Sequence, residues 1–307
     1  MDLLNISPVL ALPVTMWAAA QVFAATNGLA EADALRRLSP LGLREAGTGG
    51  NAANVELPAT NGAVQAVRAL EELGLLAEIE RPGSPPLLRW TNDVPATYDE
   101  FCDQMRDAVM ARAHSEELGE TRTPGGARDL LRGLAWIMTK DPTADAFSAA
   151  TVQRDEKASG NDDSRVFISS VRWNGFRYWS GALGFSAPVL VSSDAMSGLV
   201  GDASRAVWTT LRRSFALGKE IPAMTAIREL RDQLPVLPGG AASIALGFSA
   251  TADNQVDAAT SFALLALEQS ESIELRMLSD ATGTVQLAKL DPVEPGRIVT
   301  HLVVREK

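Results

Sequence analysis

Apolar residues recur along this chain in two rhythms, one helical and one alternating. From Pro13 to Thr26, the residues Val14, Trp17, Val22 and Phe23 surround a helix that reads as buried on most sides, with Pro13 in the tolerated first turn. A second helix is predicted from about Glu31 to Leu38, where Leu35 and Leu38 form a narrow apolar edge and Pro40 ends it. The stretch around Gly47, Gly49 and Gly50 reads as a linker. A third helix, capped by Thr60 or Asn61, carries Val64, Val67, Leu70 and Leu73 on one face. Gly74 stops it, Leu75 to Ile79 alternates as a strand, Arg81 to Pro86 turns, and Leu87 to Trp90 returns. Helices, a leucine-rich helix end and then a two-stranded ribbon is the order of a winged helix-turn-helix; the alternative is a generic helical unit with an incidental hairpin.

The same order returns near the C-terminus. Ile221 to Leu230 is predicted helical, Leu234 to Gly240 is a Pro/Gly connection, and Asp257 to Ser270 is a helix bearing Phe262, Leu265 and Leu267. A strand from Ile273 to Leu278 is expected to turn at Asp280 to Gly283 and return as Thr284 to Leu287. Aligning Ala69-Leu70-Glu71 with Ala266-Leu267-Glu268 superimposes both helix ends at an offset of 197 residues, an internal repeat of architecture more than of sequence.

Between these ends, Tyr98 to Glu116 and Gly126 to Met138 read as amphipathic helices. Val152 to Asp163 has no apolar residue after Val152 and reads as a mobile loop. Arg165 to Leu183 is predicted helical and rich in aromatics, Pro188 to Val191 a short strand, and Ser204 to Leu217 a further helix. The expected fold is therefore mainly α with small β-hairpins: tandem winged helix-turn-helix domains joined by a helical middle region. The N-terminal winged domain would span 1–97, a helical connector 98–151, the mobile loop 152–163, a basic aromatic region with features of a partial winged unit 164–220, and the C-terminal winged domain 221–307.

A length of 307 residues favours more than one core, and 46% apolar with 21% charged residues is ordinary globular composition. The net charge of −10 repels phosphate over most of the surface, which argues against a general nucleic-acid coat. The charge is uneven, however: Ser164 to Lys219 carries seven basic and two acidic side chains, whereas 221–307 carries seven and eleven. The single cysteine, Cys102, precludes an intramolecular disulfide and reads as a buried thiol in a reducing, cytoplasmic setting. Asp2 is the only charge before Glu31, so the apolar start lacks the basic residues of a secretory leader, and Pro13, Thr15 and Gln21 interrupt it too often for a membrane helix.

Candidate chemistry is sparse. His114 and His301 are the only histidines, one at the end of a predicted surface helix and one in a C-terminal strand, where ordinary surface or packing roles are the simpler reading. Gly47-Thr48-Gly49-Gly50-Asn51 lacks the lysine of a phosphate-binding loop. Asp155-Glu156-Lys157 has the residue types of a metal-dependent nuclease but sits on a polar stretch, where solvated charge is the simpler reading. No catalytic residue, metal site or cofactor is expected.

What remains is the basic, aromatic segment. Arg165 and Arg172 share a helical face with Arg177 about a third of a turn away, and Arg205, Arg212, Arg213 and Lys219 follow on the next helix. Arginines beside Trp173 and Trp179 can pair with phosphate and stack on bases; the alternative is that the aromatics form core and the arginines meet acidic neighbours. On the third helix only Gln65 and Arg68 could meet base edges, against Glu71 and Glu72. Arg165, Arg172, Arg177, Arg205, Arg212, Arg213, Lys219, Gln65 and Arg68 are thus the candidate nucleic-acid contacts.

The Leu-Pro-Val-Thr-Met-Trp start of the first helix, Ala69 to Leu76, Trp173 to Phe185, and Ala203-Ser204-Arg205-Ala206-Val207 together resemble DpdG-like proteins of bacterial deazapurine-in-DNA gene clusters. The resemblance implies a non-catalytic partner of helicases or nucleases in genome defence and carries over no functional residue. The expectation is a soluble, cytoplasmic adaptor that docks on an ATPase, helicase or nuclease subunit and touches DNA; the alternative is a free-standing regulator binding duplex DNA as a dimer.

Overall fold

The computed structural model describes residues 3–4, 11–26, 28–31, 62–115, 127–158, 166–189, 198–248, 252, 254–279, 283–290 and 296–306. About half of the described residues are helical, and the strands among them form small antiparallel groups. The chain divides into two compact units, residues 1–109 with 125–127 and residues 110–124 with 128–307.

In the first unit, α1 (Pro13–Ala25) opens with proline at its first turn and buries Met16, Ala19, Ala20 and Phe23. That face differs from the expected one, because Val14 is 60% exposed and Trp17 only half-buried. Spacings of three and four select Met16 and the small alanines, which let α1 pack closely against α2 (Gly62–Glu72). β1 (Leu29–Glu31) follows Gly28, whose φ of +80° admits the turn. The helix expected from Glu31 to Leu38 lies otherwise outside the described residues, as do the linker around Gly47 and the Thr60 or Asn61 cap.

β2 (Leu76–Arg81) and β3 (Ser84–Trp90) form the expected hairpin, with Leu76 opposite Trp90 and a tighter turn at Pro82-Gly83 than Arg81 to Pro86 suggested. β3 is the central strand, pairing on its other edge with β1 to give the order β1-β3-β2. Trp90 is 3% exposed, and its Nε1 donates to Gln104 Oε1 at 3.0 Å on α3 (Tyr98–Ser115). The boundary between the units falls within α3. Cys102 is buried on that helix, as expected.

In the second unit, α4 (Arg128–Met138) buries its apolar residues from Leu130 to Met138. Where a loop was expected from Val152, the chain instead forms α5 (Val152–Ala158), because Val152 and Glu156, one turn apart, are both buried. α6 (Ser170–Leu183) starts later than Arg165; Ser169 caps it by accepting the Arg172 N–H at 3.3 Å, and Val166 and Phe167 are non-helical core residues. β4 (Ser186–Pro188) pairs with β5 (Leu199–Gly201), and Phe147 bridges to Leu199 on the other side. Trp136, Phe147, Phe167, Trp173 and Phe176 form one buried aromatic cluster, with ring centroids 4.9–5.8 Å apart.

α7 (Ser204–Ser214) leads to β6 (Glu220–Pro222), α8 (Ala223–Gln233), the short α9 (Ala241–Ala245) and α10 (Ala258–Gln269), which Asp257 caps by accepting the Thr260 N–H at 2.8 Å. β7 (Ile273–Arg276) does not return through Thr284 to Leu287. It pairs instead with β10 (His301–Val304), which also pairs with β6, giving the order β6-β10-β7; β8 (Val285–Gln286) pairs with β9 (Ile298–Val299). A strand paired on both edges belongs to the most apolar segment, and Leu302, Val303 and Val304 are all buried, whereas Gln286 is exposed.

Among the described residues one order is common to the two three-stranded sheets: an edge strand, a helix, a second edge strand, and a later strand that is central. The helix before the second edge strand of each, and α6 before β4, end alike. Gly74, Gly184 and Glu271 take left-handed φ of +76°, +81° and +59°. The next residue in each case donates back across the helix end: Leu75 to the Leu70 carbonyl, Phe185 to Ser180 and Ser272 to Leu267, each at 2.9 Å.

Candidate nucleic-acid interface

α6 has a sharp division of faces. Trp173, Phe176, Trp179 and Leu183 are each fully buried. On the opposite side Ser170, Val171, Asn174 and Tyr178 are exposed, with half-buried Arg177 and Gly181 along the same strip. Spacings of three and four put all six on one face, and none of α6's residues is acidic. The tryptophans are thus core, and the stacking of bases on Trp173 or Trp179 that the sequence allowed is ruled out by their burial.

The candidate cations are scattered. Arg172 lies on the inner side of α6, 11% exposed, with Nη1 donating to Asp129 Oδ2 at 2.8 Å and to the Val166 carbonyl at 3.3 Å. Arg205, half-buried, donates through Nη2 to the Ala182 carbonyl and so caps the C-terminus of α6. Gln65 is 4% exposed within the first unit, which removes its amide from any groove. Exposed cations remain at Arg68 on α2, at Arg212 and Arg213 in the last turn of α7, and at Lys219. Arg212 and Arg213 stand about 10 Å along α7 from Arg205, given a rise of about 1.5 Å per residue. Arg165 lies outside the described residues.

Two arginines that the sequence reading passed over, Arg128 and Arg132, sit on α4 in the neighbourhood of Asp129 and Glu156. Burial lowers the proton affinity of the Arg132 guanidinium, and repulsion from Arg128 adds to it. Only their one-turn spacing on an amphipathic helix signalled them. Glu156 is 7% exposed and accepts the N–H groups of Val166 and Phe167 at 2.7 and 2.8 Å, so it anchors the approach to α6 and is not the solvated charge expected from the sequence.

A cleft of about 480 Å³ beside Leu217, Gly218, Glu274, Arg276, Val303 and Arg305 is also charged, but its charges meet one another. Glu274 pairs with Arg276 and Arg305, whose hydrogen bonds hold its carboxyl down to about 2, and Arg276 also reaches Glu220. His301 lies half-buried on β10 with Nδ1 at 3.2 Å from Thr300 Oγ1; His114 falls in α3. Among the described residues, no His, Cys, Asp or Glu group could hold a metal ion, and no helix is long and apolar enough to cross a membrane.

The described residues form a mainly helical protein with small antiparallel sheets, in which the outer face of α6 carries no acidic residue. The family model of DpdG-like proteins matches residues 1–281, and the chain belongs to that family. Membership ties it to a multi-gene deazapurine-in-DNA modification system. No curated protein and no solved structure gives a significant match.

Proposed function

We propose that this protein is a non-catalytic, cytoplasmic adaptor built of winged-helix units, which docks on an ATPase, helicase or nuclease subunit of its DNA-modification and defence system and contacts DNA. The observation that carries the reading is the recurring strand order β1-β3-β2 and β6-β10-β7 around a helix closed by a left-handed residue. That recurrence supports the winged helix-turn-helix reading, in which the strand between the first helices would pair with the return strand of the wing. Family membership supplies the DNA-modification setting. A net charge of −10 supports a protein partner over tight, autonomous DNA binding.

Co-expression of the full chain with each neighbouring ATPase, helicase and nuclease, followed by affinity purification and gel filtration, tests the reading. One stoichiometric complex, with little duplex binding by the isolated chain at physiological salt, is expected. A chain that binds none of them, yet alone binds a palindromic duplex tightly as a dimer, would instead be a regulator, the reading that exposed Asn174 on α6 favours.

A further inference from the structure

We infer that α6 is the element that enters the major groove of duplex DNA, with Asn174 and Arg177 at base edges and Tyr178 towards the backbone. This rests on the DNA contact proposed above and assigns it to one helix. Three of the longer helices, α2, α6 and α10, end in a left-handed residue and lead into a strand, and they are not equivalent outside the core. Between Gln65 and Glu72, α2 exposes only Arg68 and Glu72. α10 exposes Gln269 alone, packs against α7, and its Glu268 is bound to Arg297. Of these three, among the described side chains, α6 alone offers a row of exposed residues over several turns, and no carboxylate interrupts it.

The chemistry of that row suits a groove. Asn pairs bidentately with adenine N6 and N7, Arg with guanine O6 and N7, and a valine side chain meets the thymine methyl. Ser170 and Tyr178 add hydroxyls of the kind that meet phosphate oxygens. Gly181 lies on the same strip, where an added Cβ would meet only Ser186 Oγ at 3.9 Å, so the backbone can approach a ligand closely. In a chain of net charge −10, a face without carboxylates repels a polyanion less than the acidic surface elsewhere.

The test is fluorescence anisotropy of the full chain with a labelled duplex of about 20 base pairs, from about 50 mM salt upwards, since phosphate contacts are salt-dependent. Asn174→Ala and Arg177→Ala should each weaken binding roughly tenfold at low salt, while the paired change Arg212→Ala, Arg213→Ala has less effect. A second arm leaves the protein untouched: duplexes whose purines carry carbon in place of N7 lose the acceptor both side chains need, and should bind roughly tenfold more weakly. Equal affinity for ordinary and N7-substituted duplex, equal affinity for single strands, or indifference to both α6 substitutions would overturn the assignment while leaving DNA contact intact. Absence of any duplex binding at about 50 mM salt would remove the contact from the proposed function as well.

Discussion

Glu271 closes α10 at the place where Gly74 closes α2, the one at φ +59° and the other at φ +76°. Glu271 donates to the Glu268 carbonyl and Gly74 to the Glu71 carbonyl, each at 2.9 Å, so an exposed side chain stands where the geometry favours none. A left-handed conformation costs an L-residue roughly 1–2 kcal/mol. Glu271→Gly should therefore stabilise the second unit by about 1 kcal/mol, raising its thermal midpoint by roughly 2–4 °C. The converse change, Gly184→Ala, should lower it, because a Cβ there would lie 3.1 Å from the Ala206 nitrogen at a φ of +81°. Circular dichroism melts of both variants decide this, and a fall in the Glu271→Gly midpoint would contradict it.

Glu156 holds two backbone N–H groups with its two oxygens. Gln in its place keeps one acceptor and turns an NH₂ towards the other donor. Glu156→Gln should cost roughly 2–3 kcal/mol, the penalty of an unsatisfied buried donor facing another. Urea midpoints measure it; a loss below about 0.5 kcal/mol would mean that the anchor matters little.

Arg172 and Asn174 lie on the same helix and should behave oppositely. Removing the 11%-exposed Arg172 strands Asp129, so Arg172→Ala should destabilise the protein by roughly 1–3 kcal/mol. Exposed Asn174→Ala should change stability by no more than about 0.5 kcal/mol. Melting each variant beside the binding measurement separates a structural arginine from a surface contact. A well-folded, fully stable Arg172→Ala would contradict the role given to its ion pair.

Asp257 has Oδ2 sealed from solvent, and burial raises its carboxyl above the ordinary 3.8 despite the capping bond from Thr260. Above pH 3.8 the folded state then holds this proton more firmly than the unfolded chain. The stability it contributes is full below that pH and is lost as pH rises through the folded value. Asn keeps the cap without the charge, so the stability of Asp257→Asn relative to the unaltered protein should grow as pH rises from about 3 to 7. A difference that stays constant over that range would refute this. Glu274 has the opposite sign: with a folded value of about 2, its contribution is present above 4.5 and disappears as pH falls towards 2.

Gly133 lets α4 and α6 touch, since a Cβ there would sit 2.8 Å from Phe176 Cε2 within the aromatic cluster. Gly133→Ala should therefore cost roughly 1–3 kcal/mol by overpacking, read from the same melts.

The amino-acid sequence by itself determined the elements whose signals are local. Pro13 at the start of α1, Gly74 after α2, Asp257 before α10, and the alternation on either side of Pro82-Gly83 act within a few residues, where backbone sterics and capping decide. The 197-residue offset between helix ends was legible for the same reason. Tertiary structure alone decided which strand completes the C-terminal sheet, because β10 competes with β8 for β7 and wins by burying more apolar surface across a long loop. It also decided the fate of each arginine. Sequence marks a charge, but whether Arg172 turns inward to Asp129 or Asn174 and Tyr178 remain on the surface depends on which side of α6 the buried tryptophans claim.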